Sequence, residues 1–151
     1  MERLGKSIYD MKLFLYKTFA RVALMPYIGG TVIHFLRLSG IIIFMEFPYE
    51  VDWVICIIGG YALFGFILNI KKINFISLAD KIFYGLVIFH LGISVVLHAY
   101  SLIVVNHNWM LVFPMWYSFI AMGYFIGLGI YCFVLGNRIS KSLAAHQSNN
   151  A

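Results

Sequence analysis

The sequence predicts an all-α polytopic membrane protein, a four-transmembrane-helix bundle with an N-terminal interfacial amphipathic helix. Three observations carry that expectation. Of the 151 residues, 62% are hydrophobic and 11% charged, against about 45–50% and 25% in a soluble domain. Four apolar windows, near 26–45, 53–70, 82–105 and 113–135, approach or exceed the roughly 20 residues needed to cross about 30 Å of hydrocarbon. The basic residues also segregate to alternate sides of those windows.

Arg3, Lys6, Lys12, Lys17 and Arg21 precede the first window. Lys71, Lys72 and Lys81 separate the second from the third, and Arg138 and Lys141 follow the fourth. The other two connections hold no Lys or Arg, and the first carries Glu46, Glu50 and Asp52. The positive-inside rule then places both termini in the cytoplasm of a bacterial-type inner membrane. Trp53, Trp109 and Trp116 fall at the opposite boundary, where an aromatic belt is expected. Topology and contact with anionic lipids at the cytoplasmic face account for the net charge of +5, so no nucleic-acid partner is implied.

Residues 1–21 read as a helix lying in the cytoplasmic interface. Leu4, Ile8, Met11, Leu15 and Phe19 share one face, opposite Arg3, Lys6, Asp10, Lys17 and Arg21. No small-residue cleavage pattern marks a signal peptide. Pro26 suits the first turn of a new helix; one long kinked helix from about Met11 to Met45 is the alternative. A tight outer turn with Pro48 follows, and the 71–81 link offers Ser77 or Asp80 as the cap of the third helix. Residues 106–112 form a second outer link, and a polar tail occupies 140–151. The membrane domain is thus 22–139. Cys56 and Cys132 fall near opposite ends of their helices, too far apart for a disulfide.

The third window carries a polar ladder. His90, Ser94, His98 and Ser101 recur at steps of four, four and three, on one helical face. Gly85, Gly92 and Ala99 repeat every seven residues on roughly the opposite face, as a small-residue helix contact would. In the first window Tyr27, Gly30, Thr31, His34 and Arg37 share a face; Tyr61, Gly65 and Asn69 do so in the second. The fourth repeats Tyr117, Tyr124 and Tyr131 beside a Gly123-x-x-x-Gly127 pair. The economical arrangement turns these faces inward.

Ionisable residues inside a span point to a site. Arg37, about eleven residues into the first window, lacks an acidic partner in the third and fourth. An anionic group bound there, or snorkelling to the surface, would offset its cost. Neutral imidazoles ligate iron, so His34 and His90, counted to equal depth, are candidate metal ligands for haem b. His98 and Arg37 would lie nearer its propionates or a quinone carbonyl. His34, Arg37, His90 and His98 are therefore the candidate cofactor-binding residues, with no catalytic residue assigned. Glu50, Asp52 and His107 at the outer surface form no specific motif. Walker-type, H-E-x-x-H, C-x-x-C and G-x-S-x-G motifs are absent.

Phe89–Ser101, FHLGISVVLHAYS, resembles the paired-His helix of succinate dehydrogenase membrane anchors. It departs from them in His spacing, in lacking their Gly-x-Arg-His element and in span number. The size and span count resemble small DoxX-type membrane proteins. No site is transferred from either family. The expected function is that of a small subunit in a larger, respiratory-type membrane complex with other membrane subunits, holding or packing beside haem b or quinone. The alternatives are a non-catalytic accessory subunit with structural polar stripes, or a proton or small-solute conduit. Short loops argue against a free-standing enzyme.

Overall fold

A computed structural model describes residues 2–41, 49–103 and 114–148. Its helices are α1 (Glu2–Leu38), α2 (Tyr49–Asn69), α3 (Leu78–Ile103) and α4 (Met115–Ser148), with a 3-10 turn at Ile70–Lys72. Four stretches are long and apolar enough to cross a membrane: Met11–Leu38, Glu50–Lys72, Leu78–Ile103 and Met115–Ala145. Among the described residues there is no strand. The chain is a multi-pass integral membrane protein built as an all-α four-helix bundle. The end carrying both termini and the α2–α3 link is here the base, and the opposite end the mouth.

The first span differs from its sequence boundaries at both ends. Pro26 lies inside one continuous helix, so the N-terminal amphipathic segment and the span are a single element. Phe19, Ala20 and Ala23 are fully buried among the other helices, which draws the apolar face of that segment into the bundle. Ile8 and Met11, nearer the N-terminus, stay exposed. At the other end α1 stops at Leu38, well before Met45. Gly40 adopts φ +73°, while Gly40 N–H donates to Arg37 O and Ile41 N–H to Leu36 O. This is a Schellman ending, which a glycine past the last turn favours. Arg37 consequently sits in the last turn of α1, not deep within a span. At the C-terminus the helix continues past Ser140 to Ser148; Ile139 is buried and Leu143 packs on the core, so the polar tail is shorter than its composition suggests.

Two helix pairs make the bundle. α1 packs along α4 and α2 along α3, while α3 and α4 approach each other much less closely. The pairs are joined in their basal halves. There Phe19 of α1 packs edge-on against Phe66 of α2 at 4.8 Å between ring centroids, and Tyr61 hydrogen-bonds Thr18 at 2.6 Å. Tyr84 of α3 donates to the Phe66 carbonyl at 2.6 Å.

Asp80 ties α3 to α4. Arg138 reaches both its carboxylate oxygens, at 2.8 and 3.2 Å, and Tyr131 donates to it at 2.8 Å. The same carboxylate accepts from Ile76 N–H at 3.0 Å, and Ser77 Oγ accepts from Asp80 N–H at 3.1 Å. Ser77 is thus the helix cap, and the Asp80 carboxylate holds the backbone of the residue ahead of that cap. Breaking a buried ion pair by removing one partner typically costs about 3–5 kcal/mol.

Lipid gives no hydrophobic drive between helices, so close backbone approach through small residues matters most. The glycines used are not those of the two sequence seams. A Cβ on Gly30 would lie 2.6 Å from the Phe125 ring, Gly65 lies hard against Phe19, and Gly129 and Gly136 receive α1 side chains. Gly85, Gly92, Gly123 and Gly127 have no neighbour within 4 Å of a built Cβ. The Gly85–Gly92–Ala99 and Gly123–Gly127 stripes therefore make no helix contact here. Gly65→Leu should lower thermal stability by about 1–3 kcal/mol through overpacking. Gly92→Leu should stay within about 0.5 kcal/mol of wild type. Melting curves in detergent check both, and equal losses would restore the α3 seam.

Candidate functional site

Towards the mouth the two pairs enclose a cavity of about 370 Å³, within the range of small-molecule sites. Its walls are mainly apolar, including Ile33, Val51, Ile55, Ile58 and Phe125. Met25 on α1 and Val54 on α2 line it yet remain 59% and 51% exposed. These two side chains therefore border the cavity and also face outward from the bundle. Its polar groups come chiefly from the α3 ladder: His90, Ser94, His98 and Ser101 all line it, with His34 and Asp52 from α1 and α2.

Asp52 is the residue whose place the sequence reading missed. Counting the second span from Trp53 left it in the outer turn with Glu50. The helix starts at Tyr49 instead, so Asp52 occupies the first turn, where a carboxylate suits the helix dipole, and it is 6% exposed. His98 Nδ1 lies 2.6 Å from its Oδ1, and Ser101 Oγ donates to its Oδ2 at 2.8 Å. An ionised carboxylate only accepts, so Nδ1 of His98 carries a proton, and in the neutral ring Nε2 keeps its lone pair. This is not a nucleophilic triad. That arrangement needs the serine hydroxyl on the imidazole, whereas both groups here converge on the carboxylate.

His34, 6% exposed, has a different partner. Its Nδ1 lies 3.2 Å from Ser118 Oγ, and Arg37 Nη1 donates to the same oxygen at 3.1 Å. Both side chains thus converge on one buried hydroxyl of α4. Arg37 thus touches the site through Ser118 and does not line the cavity. The expected shared depth of His34 and His90 is not found. His90 packs against Tyr27 at 5.3 Å between centroids, and Tyr27 precedes His34 by seven residues, about 10 Å of helix rise. The mismatch follows from the earlier start of α1. Phe125 packs on both imidazoles, at 5.4 and 5.0 Å.

The tyrosine face of α4 does point inward: Tyr117 lines the cavity, Tyr124 meets His90 edge-on, and Tyr131 bonds Asp80. Among the described residues no three His, Cys, Asp or Glu side chains form a metal-holding group, and Cys56 and Cys132 are free thiols. Glu46, His107 and Trp109 lie outside the described residues. Comparison of the chain with protein-family models, curated proteins and solved structures finds no match. The resemblance of α3 to respiratory anchors therefore rests on Phe89–Ser101 alone.

Asp52→Ala strips two donors of their buried acceptor and should cost about 1–3 kcal/mol of stability, with Ser101→Ala costing about 1 kcal/mol. Thermal unfolding in nanodiscs measures both. A larger loss from Ser101→Ala than from Asp52→Ala would contradict the carboxylate-centred arrangement.

Proposed function

We propose that this protein is a subunit of a larger, respiratory-type membrane complex that holds a quinone in the cavity between its helix pairs. The observation that carries this reading is an apolar cavity within the spans, bordered by outward-facing Met25 and Val54, onto which a carboxylate-backed histidine faces. A lipid-soluble ring with a long apolar tail matches those features. The ring sits among Ile33, Ile55 and Phe125, and the tail leaves between Met25 and Val54. The neutral His98 Nε2 accepts from a quinol hydroxyl, and a proton gained there lets it donate to a quinone carbonyl. Asp52 holds the ring orientation and stabilises the protonated form.

Haem b finds less support. A metal-bound histidine ordinarily has its other nitrogen held by a protein partner, and among the described residues no hydrogen bond from His90 to a protein group supplies that support. His34 and His90 also sit at different depths, and Arg37 is off the cavity wall, away from any propionate inside it.

The direct test is organic extraction of the purified protein, followed by equilibrium binding of a decyl-substituted 1,4-benzoquinol, kept reduced, in nanodiscs. Wild type should bind it, and His98→Ala should weaken binding roughly three- to tenfold, the worth of one neutral hydrogen bond. Absence of any binding to wild type rejects the quinone reading. A haem absorption band lost in both His34→Ala and His90→Ala would install haem in its place.

The proposal includes an inner-membrane location with both termini cytoplasmic, which the basal Lys and Arg residues support. Cysteines placed at Gly5 and Gln147 should react with impermeant reagent only from the cytoplasmic side, and one at Tyr49 only from outside. Labelling of Gly5 from outside would invert the orientation.

A further inference from the structure

Two histidines on the cavity wall each keep one nitrogen unused. His34 is held through Nδ1 by Ser118 on α4, and His98 through Nδ1 by Asp52 on α2. Both side chains line the cavity. Among the described residues neither Nε2 has a hydrogen-bond partner. Nor does either belong with the unpartnered atoms that are sealed from solvent, Tyr27 Oη and His90 Nδ1. Each Nε2 therefore keeps accessible surface. His34 is otherwise buried, and a buried imidazole with a nitrogen left unpaired beside a ligand-sized cavity calls for a reason.

The register of α1 against α3 puts the two at nearly one level. The Tyr27 and His90 rings lie 5.3 Å apart between centroids, and both helices run from base to mouth. From that contact His34 lies seven residues further along α1 and His98 eight further along α3, about 10 and 12 Å of helix rise. α1 belongs to one helix pair and α3 to the other, with the cavity between the pairs. A molecule in the cavity thus meets the two imidazoles from opposite sides. Their supports are themselves held: Ser101 also donates to Asp52, and Arg37 also donates to the fully buried Ser118. An imidazole nitrogen either donates or accepts, whereas a phenolic hydroxyl does both. A hydroxyl therefore pairs with either histidine, whichever nitrogen carries the proton.

We propose that His34 is a second anchor facing His98, so that the cavity holds a hydroquinone head by both para hydroxyls, one on α1 and the other on α3. Those hydroxyls leave the ring in opposite directions, as two facing walls require. This deepens the quinone reading and rests on it.

The test compares tetramethyl-1,4-hydroquinone, kept reduced, with 2,3,5,6-tetramethylphenol, by equilibrium binding to the full chain in nanodiscs at equal mole fraction in the bilayer. The phenol lacks one hydroxyl, and neither probe has a tail to fix which way its ring faces, so the phenol takes whichever histidine is present. Wild type should prefer the hydroquinone roughly three- to tenfold, the worth of one hydrogen bond. His34→Phe should abolish that preference while binding the phenol as wild type does, which also shows that the variant is folded. If His34→Phe binds neither probe, Ser118→Ala decides, since it deletes only the oxygen that holds His34: a reduced preference supports the second anchor and a retained one overturns it. Equal binding of both probes to wild type, or an intact preference in a folded His34→Phe, overturns the second anchor and leaves the quinone reading standing. Failure of both probes to bind wild type is failure of the quinone reading itself. A haem absorption band in wild type, lost in both His34→Phe and His98→Phe, assigns the two nitrogens to iron and overturns the anchor as well.

Discussion

Asp80 is the point on which the two halves of the bundle turn. Its carboxylate takes Arg138 and Tyr131 from α4 and the backbone of Ile76 ahead of its own helix. It therefore braces the start of α3 and attaches α3 to α4 in one stroke. In a medium where apolar side chains gain nothing by leaving lipid for one another, a saturated polar junction and a few glycine contacts have to do the work of a hydrophobic core. They do it at the base. With the pairs fastened there, their mouth halves need not touch, and the space between them becomes the cavity. Closing the cavity would require different residues at the base as much as at the mouth.

Polar groups at the two ends of the bundle differ in how fully they are used. Several basal ones are paired helix to helix, as with Thr18 and Tyr61 or Tyr84 and Phe66. Those around the cavity are paired on one side only, as with His98 and His34, or lack a partner, as with His90. The same residue types thus serve assembly in one half of the bundle and present unused hydrogen-bonding capacity in the other.

Much of this was legible in the chain. Hydropathy and charge segregation mark the spans, and the four-residue steps from His90 to Ser101 place the ladder on one face. The cap at Ser77 and the inward tyrosines follow from local rules. What could not be read were quantities that depend on an end point. Pro26 is compatible both with the start of a helix and with its interior, and choosing the start moved His34 and Arg37 by several turns in depth. The Ser39–Gly40 pair was the available correction, because a glycine after a run of apolar residues is a stop signal. Asp52 was hidden by the same effect, one residue outside a window drawn by hydropathy. Glycine seams were misjudged for another reason. Periodicity shows that small residues share a face, and only packing shows which face another helix meets.

The place of the cavity within the spans, bordered by outward-facing Met25 and Val54, sets the solvent from which it would fill. A solute reaching it from the side would arrive from the acyl-chain phase, where an apolar molecule is concentrated far above its level in water. Occupancy then follows the mole fraction of solute among the lipids, so a weak intrinsic affinity suffices for a full site. Enlarging the bilayer at constant solute empties the cavity even when the bulk concentration is unchanged. A site so placed would sample a two-dimensional reservoir, and any apparent dissociation constant measured for it would be a property of the membrane as much as of its own residues.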